Sequence, residues 1–257
     1  MNEILTHFDV FILVTFRTVA FIMASPLISI SAWPNWAKIG LAFGLSYVVT
    51  PTITSAVPDV LQQPGTFIVD GLLEACIGLL LGFIATMIFS AISIAGQAVD
   101  IQIGFSMASL FSPGSNVQSG IFGNLYNLLF TLYFLGMGGL DGLMMAITHS
   151  FVAIPLAHFQ LPNHWPDELM QLMNVVMTLA LEIAAPLLAS LFMSDVTFAF
   201  LSRAVPQMNV FVVGLPVKIF VGLLMFAVVM PGTIYMFNRV FMYMFSQLQV
   251  VQNVLGG

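Results

Sequence analysis

Charged side chains are missing from this sequence over stretches long enough to cross a lipid bilayer. Asp, Glu, Lys and Arg together make up 6% of the chain and hydrophobic residues 60%, where an ordinary soluble domain is about 25% charged. So few charges cannot cover a water-facing surface. A helix that crosses the hydrocarbon core needs about 20 consecutive apolar residues. The chain offers several such runs, and its longest polar stretch is a short loop. The expected class is an all-α integral membrane protein without a separate soluble domain.

Composition narrows the chemistry. A single cysteine, Cys76, excludes an internal disulfide and a cysteine metal cluster. A formal net charge of −6 gives no basic footprint for nucleic acid. The start, Met1-Asn2-Glu3, lacks the positive region of a cleavable signal peptide, so the first apolar run is expected to be retained. Most of the 24 Phe and 17 Met are expected to face lipid or pack the interior. Met also suits a deformable apolar lining, because its unbranched thioether chain adapts to irregular partners.

Hydropathy and helix-breaking residues divide the chain into about six hydrophobic segments, near residues 8–30, 39–57, 66–98, 121–151, 169–201 and 210–249. Trp33-Pro34-Asn35-Trp36 ends the first, since Pro breaks a helix and Trp suits a membrane interface. A polar, flexible stretch fills residues 100–120, and residues 155–166 form a loop with His158, His164 and Trp165. Asp167-Glu168 suits a helix N-terminus, where acidic groups meet the positive end of the dipole. Pro216 and Pro231 are expected to kink the last segment. The third, fifth and sixth segments exceed a minimal span and must tilt, break or stand partly outside lipid. With both termini outward, Lys38 and Arg203 fall on inner loops, and Asp59, Asp167 and Glu168 on outer ones, in keeping with the positive-inside tendency.

Arg17 lies inside an apolar run and calls for a buried polar contact with a neighbouring helix. Glu182 is a candidate partner for Arg17 or for Lys218, with nothing in the sequence to choose between them. Asp70 and Glu74, four apart, share a helix face near the start of the third segment and read as a solvated helix end. Gly40 with Gly44, and Gly78 with Gly82, form Gly-x-x-x-Gly patterns that allow close helix packing. Asp141, Glu182 and Asp195 are intramembrane carboxylates of the kind a proton or ion transporter uses, but they form no tight motif. No nucleophile elbow is present, no carboxylate pair is spaced for an aspartyl protease, and His158 with His164 alone make a poor metal site. No catalytic, cofactor-binding or metal-binding residue is expected.

The stretch Arg203-Ala204-Val205-Pro206-Gln207-Met208-Asn209-Val210-Phe211-Val212-Val213-Gly214-Leu215-Pro216-Val217-Lys218 closely resembles a signature of the flagellar biosynthetic protein FliR family, which shares ancestry with a virulence type III secretion subunit. Gly96-Gln97-Ala98-Val99-Asp100, Gly104 and residues 111–120 look like the family's middle region. Arg17, Pro26, Pro34 and Lys38-Ile39-Gly40 fall where that family has similar residues. The chain departs from the family at Ser112-Pro113, where Asp-Pro is frequent, and at Gly138-Gly139-Leu140-Asp141, where Asn-Gly-His is frequent.

The resemblance implies helices arranged as hairpins, with residues 1–168 similar to the FliP subunit and 169–250 similar to the small two-helix subunit FliQ. Pro206, Gln207 and Asn209 would lie in the bend of that second hairpin, which is expected over residues 206–218. The resemblance also implies a non-enzymatic role in the bacterial inner membrane at the flagellar basal body. There the chain would assemble with FliP-like and FliQ-like subunits, and with FlhB-like and FlhA-like export components, into a channel for unfolded flagellar proteins. Phe105, Met107, Leu110, Phe111, Pro113 and Gly114 would belong to a plug that seals the channel by steric contact and dewetting. Two alternatives stay open: the homologous virulence subunit, and a secondary solute or ion transporter with a helix break at residues 136–142 beside Asp141.

Overall fold

The computed structural model describes residues 2–26, 34–53, 64–104, 120–157, 165–205 and 210–256, without the side chains of residues 2–7 and 210–212. Every regular element among them is helical. In chain order they are α1 (Asn2–Ala24), α2 (Asn35–Val49), a single 3-10 turn (Thr50–Thr52), α3 (Pro64–Ile103), α4 (Ile121–Gly136), α5 (Gly139–Ala153), α6 (Trp165–Ala204) and α7 (Val210–Gly256).

Three of these helices, α3, α6 and the stretch Val213–Gly256 of α7, are long and apolar enough to cross a membrane. A fourth span is added if α4 and α5 are counted together. The expectation of about six long segments is corrected in two ways. The fourth segment is two helices, because Gly138 adopts the left-handed conformation (φ 73°) between α4 and α5, a geometry glycine tolerates without steric cost. The second yields only the 15 residues of α2, about 22 Å of helix against a hydrocarbon core of roughly 30 Å. Conversely, α3 continues past Ala98 to Ile103, and at 40 residues it is about twice the length a bilayer needs.

Helix interiors hold their own polar groups. Thr18 donates to the Val14 carbonyl at 2.8 Å, and Ser46 to that of Ala42 at 2.8 Å. Such back-bonding satisfies a hydroxyl that apolar surroundings would strand. Pro186 lies inside α6, and Pro216 and Pro231 lie inside α7, without interrupting the helix.

The chain divides into two compact units. The first comprises Met1–Phe89, Met137–Gln171 and Met242–Gly257. Here α1 lies directly on α3: a Cβ on Gly78 would collide with the Arg17 carbonyl, and one on Gly82 would sit 2.7 Å from the Ala24 Cβ. Thr86 closes the end of α1 by donating to the Ala24 carbonyl. The other Gly-x-x-x-Gly pair, Gly40 and Gly44 on α2, has nothing within 4 Å of the corresponding positions.

The second unit comprises Ser90–Gly136 and Leu172–Phe241. Its core is aromatic. Tyr126 and Phe130 of α4 meet Phe237 of α7 edge to face, at centroid distances of 6.4 and 5.1 Å, and Tyr126 meets Phe226 at 5.2 Å. These edge-on contacts place ring hydrogens on the electron-rich faces of their neighbours. Gly96 and Gly123 bring α3 and α4 into backbone contact, since a Cβ on Gly96 would lie 2.5 Å from the Gly123 Cα.

Candidate functional site

With so few charges in the chain, the placement of each one defines the sites. In the first unit, Arg17 is wholly buried. Its Nε donates to Glu74 Oε2 at 2.5 Å. Its Nη1 donates to the carbonyls of Ser150 (2.9 Å) and Ile154 (3.0 Å) at the C-terminal end of α5. The guanidinium also lies 4.5 Å from the Phe151 ring centroid. One cation thus neutralises a carboxylate, satisfies carbonyls that the end of a helix leaves without partners, and rests on an aromatic face. Glu74 Oε1 accepts the Ala157 N–H at 3.1 Å, and Ala157 is held at a positive φ of 61°.

This overturns the reading of Glu74 as part of a solvated helix end. The side chain is 1% exposed, because α3 starts at Pro64 and Glu74 faces α1 from well inside the helix. Asp70, on the same helix, is partly exposed. Lys38 is also corrected: it lies within α2 and is buried, not on a loop.

In the second unit, Asp100 accepts the N–H groups of Phe122 (3.0 Å) and Gly123 (2.8 Å), capping the first turn of α4 from α3. Four N–H groups at a helix start lack intrahelical partners, and a carboxylate there also meets the positive end of the dipole. Gly120 leaves room for it, since a Cβ there would overlap the Asp100 carboxylate. Two residues further along α3, Gln102 donates to Asp195 Oδ2 at 2.9 Å, and Lys218 pairs with Asp195. Glu182 pairs with Arg239 at 2.6 Å. The order of the contacts, Asp195 with Lys218 and Glu182 with Arg239, makes α6 and α7 antiparallel in this unit.

Glu182 therefore serves neither Arg17 nor Lys218. Arg239 was not singled out in the sequence, although the criterion that marks Arg17, a cation within an apolar run, applies to it equally. Asp141 sits in the first turn of α5, beside the helix dipole. The residues named for the plug (Phe105, Met107, Leu110, Phe111, Pro113 and Gly114) and for the bend (Pro206, Gln207 and Asn209) lie outside the described residues, as do His158 and His164. Of the stretch expected as the bend, residues 210–218 are instead helical, within α7. Among the described residues, no three of His, Cys, Asp and Glu are grouped to hold a metal ion.

Three ion pairs join helices, and no acid, base and nucleophile converge among the described residues. The chemistry of this arrangement is that of helix assembly. The chain is similar to several known proteins. The flagellar biosynthetic protein FliR of Bacillus subtilis (strain 168) is 34% identical over 245 residues, covering 94% of this chain and 93% of that one. FliR of Aquifex aeolicus (strain VF5) is 30% identical over 216 residues, 84% and 83% of the two chains. The Yop proteins translocation protein T of Yersinia pestis is 38% identical over 148 residues, 56% of each. The model of the family described as bacterial export proteins, family 1, matches residues 8–244, and the chain belongs to that family.

Proposed function

We propose that this chain is a core subunit of the flagellar type III protein export gate in the bacterial inner membrane. It assembles with FliP-like and FliQ-like subunits around a channel for unfolded flagellar proteins, next to FlhB-like and FlhA-like export components. The observation that carries this reading is similarity to FliR over nearly the full length of both chains, in a molecule whose described ion pairs join helices. The antiparallel pair α6–α7, stapled at Asp195–Lys218 and Glu182–Arg239, supports a FliQ-like hairpin in the last third of the chain.

The mechanism is physical. Residues 104–120 combine an apolar first part, with Phe105, Met107, Leu110 and Phe111, and a compliant Ser-Pro-Gly-Ser part. A movable seal needs a stopper that excludes water and a tether that yields. The transporter alternative loses support, because two of the three carboxylates it would use are tied up in ion pairs. Glu182 and Asp195 are ion-paired, and Asp141 lies at a helix start. The virulence-type alternative shares the mechanism and differs in cargo.

Deleting the gene from its native bacterium tests the proposal. Export of flagellar hook and filament proteins into the medium should cease, and the wild-type chain should restore it. The tagged chain should co-purify with two small apolar membrane subunits. Undiminished flagellar export in the deletion strain would refute the flagellar assignment.

A further inference from the structure

The ion pair between Glu182 and Arg239 stands open on an apolar wall. Arg239 Nη1 donates to Glu182 Oε2, yet the side chains remain 54% and 35% exposed. The other guanidinium N–H groups make no hydrogen bond among the described residues. Close by, the Tyr133 hydroxyl donates to Asn238 Oδ1 at 3.1 Å, also at the surface. Around this polar patch Leu181 is 61% exposed, Ile234 46% and Tyr235 68%.

Such a surface suits neither solvent. Hydrocarbon leaves the remaining donors of a charged guanidinium unsatisfied, which is costly in the absence of water. Water leaves contiguous large apolar side chains exposed. Another protein helix, apolar along its length but carrying one acceptor, satisfies both. The planar fork of Arg239 contacts Glu182 through one nitrogen only, and a second carboxylate is the group whose geometry fits the open edge.

Among the described side chains of this chain, no carboxylate lies in the middle of an apolar helix without being paired, capping or buried. Glu74, Asp195 and Glu182 are paired, Asp100 caps α4, and Asp9 is buried. Asp70, Asp141, Asp167 and Glu168 lie in the first or second turn of a helix.

We propose that Leu181, Glu182, Ile234, Tyr235, Asn238 and Arg239 form the docking surface for an apolar helix of a different membrane subunit, which brings a carboxylate to the open edge of the Arg239 guanidinium. This builds on the proposed export-gate reading in taking the chain to work inside an assembly.

The test places a photo-crosslinking amino acid at Tyr235 of the full-length chain in native membranes and maps the adducts by mass spectrometry. The expected result is an adduct with one other protein, within about two turns of an Asp or Glu in an apolar helix. The double substitution Glu182→Arg with Arg239→Glu keeps the internal ion pair and reverses the charge shown to the partner. Adduct yield should fall about tenfold, the loss of one charge-assisted contact. Converting the mapped acid to Arg should restore it. If the swapped chain does not accumulate, Arg239→Lys is read instead; it keeps the charge, removes the fork and should lower the yield several-fold. Adducts with lipid alone, with a second copy of this chain, or with a helix lacking a carboxylate overturn the proposal. So does an unchanged yield in the variant that accumulates. An adduct with a subunit foreign to protein export would preserve this surface and overturn the export-gate reading. Lipid adducts alongside intact flagellar export would overturn the surface and leave that reading standing.

Discussion

Arg17 and Glu74 meet 57 positions apart in the sequence, Nε to Oε2 at 2.5 Å, with side chains 0% and 1% exposed. The pair joins α1 to α3, and the same guanidinium reaches the end of α5. Three helices of the first unit thus depend on one buried cation.

Removing either partner should therefore destabilise the chain more than removing both. Arg17→Met or Glu74→Leu alone leaves an uncompensated buried charge and should cost about 3–5 kcal/mol. The double variant should recover part of that loss. Thermal unfolding of the purified assembly in detergent, read as a double-mutant cycle, measures the difference. A double variant as damaged as the sum of the singles would show that the two side chains act independently.

The two Gly-x-x-x-Gly pairs should respond oppositely to alanine. Gly78→Ala drives a methyl group into the Arg17 carbonyl, forcing α1 away at roughly 1–3 kcal/mol. Gly40→Ala meets open space and gains up to about 1 kcal/mol of helix propensity. Steady-state abundance in the membrane, together with melting temperature, separates the cases. Equal effects at both positions would contradict the packing described for α1 on α3.

Asp100→Ala should loosen the start of α4. The N–H groups of Phe122 and Gly123 lose their acceptor, at a cost of about 0.5–2 kcal/mol. Hydrogen exchange should quicken at these two amides first, while amides in the middle of α4 stay protected. Unaltered exchange at residues 122 and 123 would mean that the cap is dispensable.

Deleting part of residues 104–120, the proposed seal, should raise ion or dye leakage through an assembled gate without preventing assembly. Conductance or dye entry in cells expressing the complete gate, compared with wild type, is the measurement. An assembled, open but non-leaking gate would exclude this stretch as a seal.

Much of the architecture is legible in one dimension because it follows from local chemistry. The scarcity of charge dictates membrane-length helices, and Pro and Gly mark several of their ends. Asp167-Glu168 opens α6, as acidic residues at a helix start should. The resemblance carried by Pro206-Gln207-Met208-Asn209 and its flanks pointed to the family that full-length comparison establishes. The break between α4 and α5 falls at residues 136–142, where the sequence offered a helix break only under the transporter alternative and otherwise read as one segment.

What the sequence determined by itself was the solvent, the all-helical class and the family, since each depends on side chains adjacent in the chain or within a few turns of one another. Only the tertiary structure decided the partner of each charge. Arg17 takes Glu74 and not Glu182, Glu182 takes Arg239, and Asp100 caps a helix that begins only at Ile121. It also decided that Gly78 and Gly82 are in backbone contact while Gly40 and Gly44 are open. The physical reason is that an ion pair or a glycine contact is fixed by where two helices cross, and crossings depend on the packing of whole helix faces, which no local pattern encodes.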